Sequence, residues 1–193
     1  TISVDITDSK AVGLKNTTGY GGAIFVGGDD AKITKSSFDN CSAGINASGG
    51  AIYIEGERAR IIKSTFHNTY AKDGELASGG AIAVEGNNAN ITDSEFTECF
   101  ASHGGVLFVQ GRWAKFYDSN ITDCYAYGYG GAIYILDGEK TYIVNSVFDN
   151  CTSINGEGGA IVINGDYTHV INSNFTNCNA SSEDGLGGAI YIE

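Results

Sequence analysis

Two short stretches decide the fold: Gly49-Gly50-Ala51-Ile52-Tyr53-Ile54 and, a little further on, Ser64-Thr65-Phe66-His67-Asn68-Thr69. The first recurs at Gly21 to Val26, Gly79 to Val84, Gly104 to Val109, Gly130 to Ile135, Gly158 to Ile163 and Gly187 to Ile192. Its first glycines are separated by steps of 28, 30, 25, 26, 28 and 29 residues. The second has the form Ser-x-Phe-x-x-Cys and recurs at Ser36 to Cys41, Ser94 to Cys99, Ser119 to Cys124, Ser146 to Cys151 and Ser173 to Cys178. Ile121 replaces Phe once, and Thr69 replaces Cys once. Two motifs held in phase over six repeats define one repeated structural unit.

Units of this length made of Gly, Ser, Thr and β-branched residues are poor helices. The leucine ladder of a leucine-rich repeat is missing. The pattern therefore predicts an all-β fold: a right-handed parallel β-helix of about seven rungs, forming a single domain over residues 1–193. Strand alternation puts Ile24 and Val26 on the core face and Ala23 and Phe25 on the outer face. Ile33, Ile61, Ile91, Phe116, Ile143 and Val170, three residues before each serine, are expected to line the core too. Phe38, Phe66, Phe96, Phe148 and Phe175 are expected to stack one ring per rung at ~4.8 Å. The Gly-Gly pairs and a second glycine ladder (Gly28, Gly56, Gly86, Gly111, Gly138, Gly165) mark corners, where positive φ or close backbone approach is needed. The absence of proline suits an unbroken ladder of backbone donors.

With 23 acidic and 11 basic residues the net charge is −12, which disfavours nucleic acid and anionic membrane as partners. No apolar run of ~18 residues exists, so no membrane insertion is expected in this segment. Cys41, Cys99, Cys124, Cys151 and Cys178 occupy one position of the coil. They read as interior thiols, with disulfides between neighbouring rungs as the alternative. Without Cys-x-x-Cys or clustered histidines, the sequence calls for no metal and no cofactor. Eight Asn-x-Ser/Thr sequons occur; those at Asn16, Asn46, Asn90, Asn120 and Asn174 are the candidate glycosylation sites, and Asn40, Asn150 and Asn179 complete the set.

Outward positions of the Gly-Gly strands read Ala in six of seven copies, then Phe25, Tyr53, Ala83, Phe108, Tyr134, Val162 and Tyr191. This semi-aromatic stripe makes Phe25, Tyr53, Phe108, Tyr134 and Tyr191 candidates for lateral or glycan contact. Tyr125, Tyr127 and Tyr129 offer a second aromatic loop.

The motif pair resembles the repeats of polymorphic outer membrane proteins and is similar to the β-helical adhesin-like surface proteins of methanogenic archaea. Gly49-Gly50-Ala51-Ile52 with Phe66-His67-Asn68, and Gly158-Gly159-Ala160-Ile161 with Phe175-Thr176-Asn177, carry the resemblance over essentially the whole chain. It implies a secreted or cell-surface β-helix, often one part of a longer repetitive protein.

From Val26 to Ile33 is seven steps, and from Ile192 through Glu193 and Thr1 to Ile6 of another copy is also seven. Thr1, Ile2, Val4, Ile6, Ile190, Tyr191, Ile192 and Glu193 are therefore the candidate head-to-tail assembly residues, with an excised segment of a longer array as the alternative. The functional expectation is an extracellular structural or adhesive cell-surface protein, not an enzyme, that stacks on copies of itself into a fibre, stalk or sheath. Its rivals are a carbohydrate-binding module using the aromatic stripe, with glycans or a host surface as partner, and a polysaccharide lyase or hydrolase.

Overall fold

The computed structural model describes residues 4–71, 74, 76–183 and 185–193. The chain is a right-handed parallel β-solenoid whose coils pass through three seven-stranded sheets and, in five coils, a fourth short one. The first, the Gly-Gly sheet, contains Ile24–Val26, Ile52–Ile54, Ile82–Val84, Leu107–Val109, Ile133–Leu136, Ile161–Asn164 and Ile190–Ile192. The chain then enters the Ile sheet, made of Asp5–Thr7, Lys32–Thr34, Arg60–Ile62, Asn90–Thr92, Lys115–Tyr117, Tyr142–Val144 and His169–Ile171. The Phe sheet follows, with Lys10–Val12, Ser37–Asp39, Thr65–His67, Glu95–Thr97, Asn120–Thr122, Val147–Asp149 and Asn174–Thr176. A short sheet closes the coil through Tyr70–Ala71, Phe100–Ala101, Tyr125–Ala126, Thr152–Ser153 and Asn179–Ala180. Every strand pair is parallel and in register with its counterpart one coil away, so that Phe38, Phe66 and Phe96 face one another directly.

That register turns each sequence position into a column. Phe38, Phe66 and Phe96 stack at 4.9 and 4.8 Å, and Phe148 and Phe175 at 4.7 Å. The column is broken where Ile121 stands for Phe, and there the neighbouring column exchanges Ile for Phe116. Phe116 tilts into the gap, 5.7 Å from Phe96 and 6.4 Å from Phe148, so the core keeps its volume by trading two positions in one coil.

A serine column runs beside the phenylalanines. The Ser36 N–H donates to Ser64 Oγ (3.2 Å), Ser64 N–H to Ser94 Oγ (3.2 Å), and Ser94 N–H to Ser119 Oγ (3.1 Å). Each hydroxyl in turn donates to the carbonyl two residues earlier, as Ser94 Oγ does to Thr92 O at 2.9 Å. These serines are buried, and the reciprocal pattern satisfies polar groups that would cost about 1–3 kcal/mol each if left bare.

One expectation about the Gly-Gly corner needs correction. Ala51, Ala81, Ala132 and Ala160 do not face outward; they are fully buried in the main core. The N–H groups of both Ala51 and Ile52 donate to Ala81 O at 2.9 Å. Two consecutive residues thus oppose one, as in a β-bulge, and strict alternation starts only after the bulge. In the second glycine ladder, of the two expected reasons for glycine, close backbone approach applies and positive φ does not. Gly56 is needed for close approach: a Cβ there would lie 2.1 Å from Gly28 O. Left-handed backbone falls instead on Arg58 (φ 57°), Lys63 (φ 51°) and Asn68 (φ 48°) in that coil, and on Gly49 (φ 72°) in the Gly-Gly pair.

The Phe116–Ile121 exchange is testable by a double-mutant cycle in urea. Phe116→Ile alone and Ile121→Phe alone should each lose about 1–3 kcal/mol. The double variant should recover at least about 1 kcal/mol of their sum; strict additivity would mean that the two columns do not compensate.

Candidate functional site

Four features carry chemistry or exposed contact area: the edges of the outermost coils, the aromatic stripe, a second aromatic column, and the titratable groups.

The outermost coils lie at opposite ends of the solenoid. Asp5–Thr7 and Ile24–Val26 form one pair of sheet edges, and Ile190–Ile192 forms the edge of the Gly-Gly sheet at the other end. At the first end Val4, Ile6, Ile24, Phe25, Val26, Ala31 and Ile33 surround an apolar mouth of about 120 Å³ that opens into the core. At the other, Ile192 is 70 % exposed and Ile190 and Tyr191 are half-buried. Thr1 and Ile2 lie outside the described residues.

The stripe stands outside the main core, yet most of it is covered by its own chain. Tyr53 and Phe108 are buried with Ala83 in a satellite cluster, against which Tyr134 packs. Tyr20, from the loop before the first Gly-Gly pair, stacks on Tyr53 at 4.5 Å, and His103 and Tyr129 lie 5.6 and 5.7 Å from Tyr134. Burial and the Glu85 carboxylate push the Tyr53 phenol well above its ordinary pKa. Only Phe25 of the five candidates is widely exposed, at 53 %. A continuous exposed stripe of Phe25, Tyr53, Phe108, Tyr134 and Tyr191 is therefore not what the fold presents, because Tyr20, His103 and Tyr129 from the loops before the Gly-Gly strands lie over its middle.

Sequence reading missed a different column. Tyr70, Phe100 and Tyr125 are in register on the outer face of the short sheet. They stack at 4.9 and 5.1 Å with interplanar angles of 6° and 2°, and all three are partly exposed. Its signal was present: each residue directly follows the Cys or Thr of the second motif, at Thr69-Tyr70, Cys99-Phe100 and Cys124-Tyr125.

Cys41, Cys99, Cys124 and Cys151 are buried, Cys178 is half-buried, and none forms a disulfide. Thr69 keeps the column polar-paired by donating from Oγ1 to Cys99 Sγ at 3.3 Å. A hydrogen bond with the Cys151 thiol lowers the pKa of Cys178. On the outer face of the Phe sheet His67 sits between Asp39 (2.8 Å from Nδ1) and Glu98 (3.7 Å from Nε2). Its hydrogen bond to Asp39 raises the imidazole pKa above the ordinary 6.5.

Of the candidate sequons, Asn46, Asn120 and Asn174 are exposed. Asn16 is half-buried and commits its amide: Nδ2 donates to Tyr20 O (3.1 Å) while Oδ1 accepts from Gly19 N–H (3.0 Å). Asn90 is half-buried, with Oδ1 enclosed.

The geometry defines the class as a parallel β-solenoid wound around one apolar core. The model of the right-handed β-helix region matches residues 21–193, and the chain belongs to that family. A comparison with curated proteins gives no match.

Two measurements check the titratable groups. In native protein at neutral pH, Cys178 should react first with an alkylating reagent, and the four buried thiols only after unfolding; equal reactivity of all five would contradict the interior column. Because the folded His67 pKa is raised, its stabilisation is full below about 6.5 and is lost as pH rises through the folded value. Asp39→Asn should therefore destabilise the protein at pH 5 and little at pH 9, with its His67 titrating lower by NMR.

Proposed function

We propose that this chain is a structural and adhesive protein of the cell surface, a stretch of β-solenoid that extends by stacking on further coils of its own kind into a fibre, stalk or sheath. One observation carries this reading: successive coils are docked by the same in-register parallel pairing through all seven strands of three sheets, and through five strands of the short one. A coil so built is a template for another coil, and stability accrues by nearest-neighbour addition. Ile24–Val26 and Ile190–Ile192 are the outermost strands of the Gly-Gly sheet among the described residues, and an outermost strand carrying apolar side chains such as Ile24, Phe25, Ile190 and Ile192 is a template for further pairing. Joining opposite ends is a heterologous contact, which propagates as a filament when it does not close.

The acidic, sequon-bearing exterior and the shielding of four thiols support an extracellular setting and a scaffold role, as does the resemblance to surface β-helices. Support for a non-catalytic role comes from the setting of His67, which is half-exposed in a surface ladder with Asp39 on Nδ1 and Glu98 3.7 Å from Nε2. The stripe as a carbohydrate platform draws little support, since Tyr53 and Phe108 are buried.

Electron microscopy of concentrated protein tests the assembly. Fibres with an axial repeat of about 30–35 Å, from about seven rungs at ~4.8 Å, are expected. Phe25→Asp and Ile192→Asp should each stop growth at a different end, so that an equimolar mixture of the two stalls at dimers. Monodisperse monomers at ~1 mM would sink the proposal.

A further inference from the structure

The aromatic column of the short sheet stops before the sheet does. Tyr70, Phe100 and Tyr125 stack in sequence, and the next two places in the same register are Thr152 and Asn179. Phe100 covers one face of Tyr125 at 5.1 Å, and Tyr127 meets it edge-on at 6.0 Å. The opposite face, on the Thr152 side, borders a shallow depression of about 260 Å³ lined by Asp123, Cys124, Asn150, Thr152 and Ile154. The small Thr152 leaves the height of one rung unfilled directly in line with a stack of three rings.

The rim of this slot is polar, and its chemistry says what belongs there. Asn150 Nδ2 donates to Asp123 Oδ1 at 2.6 Å, which orients both side chains. That bond uses one carboxylate oxygen of Asp123, so the other oxygen, the Asn150 carbonyl and the Thr152 hydroxyl remain as two acceptors and one donor-acceptor group. A purely aromatic ligand would satisfy the ring face and leave these groups unmatched. A pyranose ring satisfies both: its C–H face lies against the electron-rich face of an aromatic ring, and its hydroxyls point outward to a ring of acceptors. Charge narrows the class further. The slot holds Asp123, with Asp149 in the next coil, on a chain of net charge −12, so uronates and sulfated sugars are repelled.

We propose that the short sheet binds a neutral saccharide, with one pyranose ring stacked on Tyr125 over Thr152 and its hydroxyls bonded to Asp123, Asn150 and Thr152. The site lies on the flank of the coil and goes beyond the stacking of coils, neither requiring it nor blocking it. It would give an otherwise repetitive scaffold one local point of adhesion to a neutral polysaccharide.

The test is isothermal titration and saturation-transfer NMR of the chain with hexamers of β-1,4-glucose, β-1,4-N-acetylglucosamine and α-1,6-mannose, and with hexagalacturonate. At least one neutral hexamer is expected to bind and hexagalacturonate is not. Tyr125→Ala should weaken binding about tenfold. Thr152→Tyr should abolish it while raising the melting temperature, because the new ring extends the column into the slot; loss of binding in a more stable variant excludes misfolding as the cause. Tyr142→Ala, on another flank, should bind like the parent. Absence of binding by all three neutral hexamers at about 10 mM, unchanged affinity in Thr152→Tyr, or equal binding of hexagalacturonate would each overturn the proposal.

Discussion

Parallel pairing between neighbouring coils is the interaction on which everything else in this molecule rests. Because the pairing is in register, a residue sits over the residue at the same place in the next repeat, and like must tolerate like. Aromatic rings, serine hydroxyls and small thiols tolerate it well: rings stack, hydroxyls both donate and accept, and thiols pack as small hydrophobes. Buried charges would not, since a column of like charges in the interior is repulsive and unsolvated. The interior accordingly holds Phe, Ile, Ala, Ser and Cys, while Lys, Asp and Glu stand outside. The same constraint explains the backbone. Many non-glycine residues adopt left-handed φ, among them Lys35, Asn40, Arg58 and Trp113. Each costs of order 1 kcal/mol, and the cost is tolerated because hydrogen bonds to both neighbouring coils over-determine the corner.

Glycine enters where two backbones touch rather than wherever the chain turns. At Gly50 a Cβ would fall 2.0 Å from Gly80 O in the next coil, and Gly80 meets Gly105 in the same way. Coil after coil, the second glycine of the pair makes room for the carbonyl of its successor. The motif is thus less a turn signal than a contact between rungs, which is why it never drops out. Phe and Cys in the second motif do drop out, as Ala11 and Leu14 in the outermost coil and, within the column, at Ile121 and Thr69, because a side-chain column can be repaired locally by Phe116 or by the Thr69 hydroxyl. A backbone collision has no such local remedy.

The repeat, the inward Ile and Phe columns and the interior cysteines were legible because periodicity in sequence maps directly onto register in space, whereas the fourth, short side of the coil was not foreseen. Two further things were not legible. The inward turn of Ala51 and its equivalents depends on a bulge, in which the Ala51 and Ile52 N–H groups share Ala81 O. Alternation cannot show that, since it assumes one residue per place. The burial of Tyr53 and Phe108 depends on loops whose lengths differ from coil to coil, bringing Tyr20, His103 and Tyr129 over the stripe. The column through Tyr70, Phe100 and Tyr125 was readable in principle, one place after the cysteine. It was overlooked because it spans only three coils and gives way to Thr152 and Asn179.

That interruption separates the two sides of the solenoid wall. Inside, a missing ring would leave a cavity costing roughly 24 cal/mol per Å³, so the gap at Ile121 is filled from the adjacent column by Phe116. Outside, a missing ring leaves a slot open to solvent, which water fills at little cost and which selection for stability need not close. An interrupted outer column therefore has an ordered aromatic face, a fixed height and flanking polar groups from the next coil, all held by a rigid scaffold. Regularity in the interior is what makes irregularity on the surface a defined binding geometry, and the end of the ring column at Tyr125 is the place where this chain displays that geometry most completely.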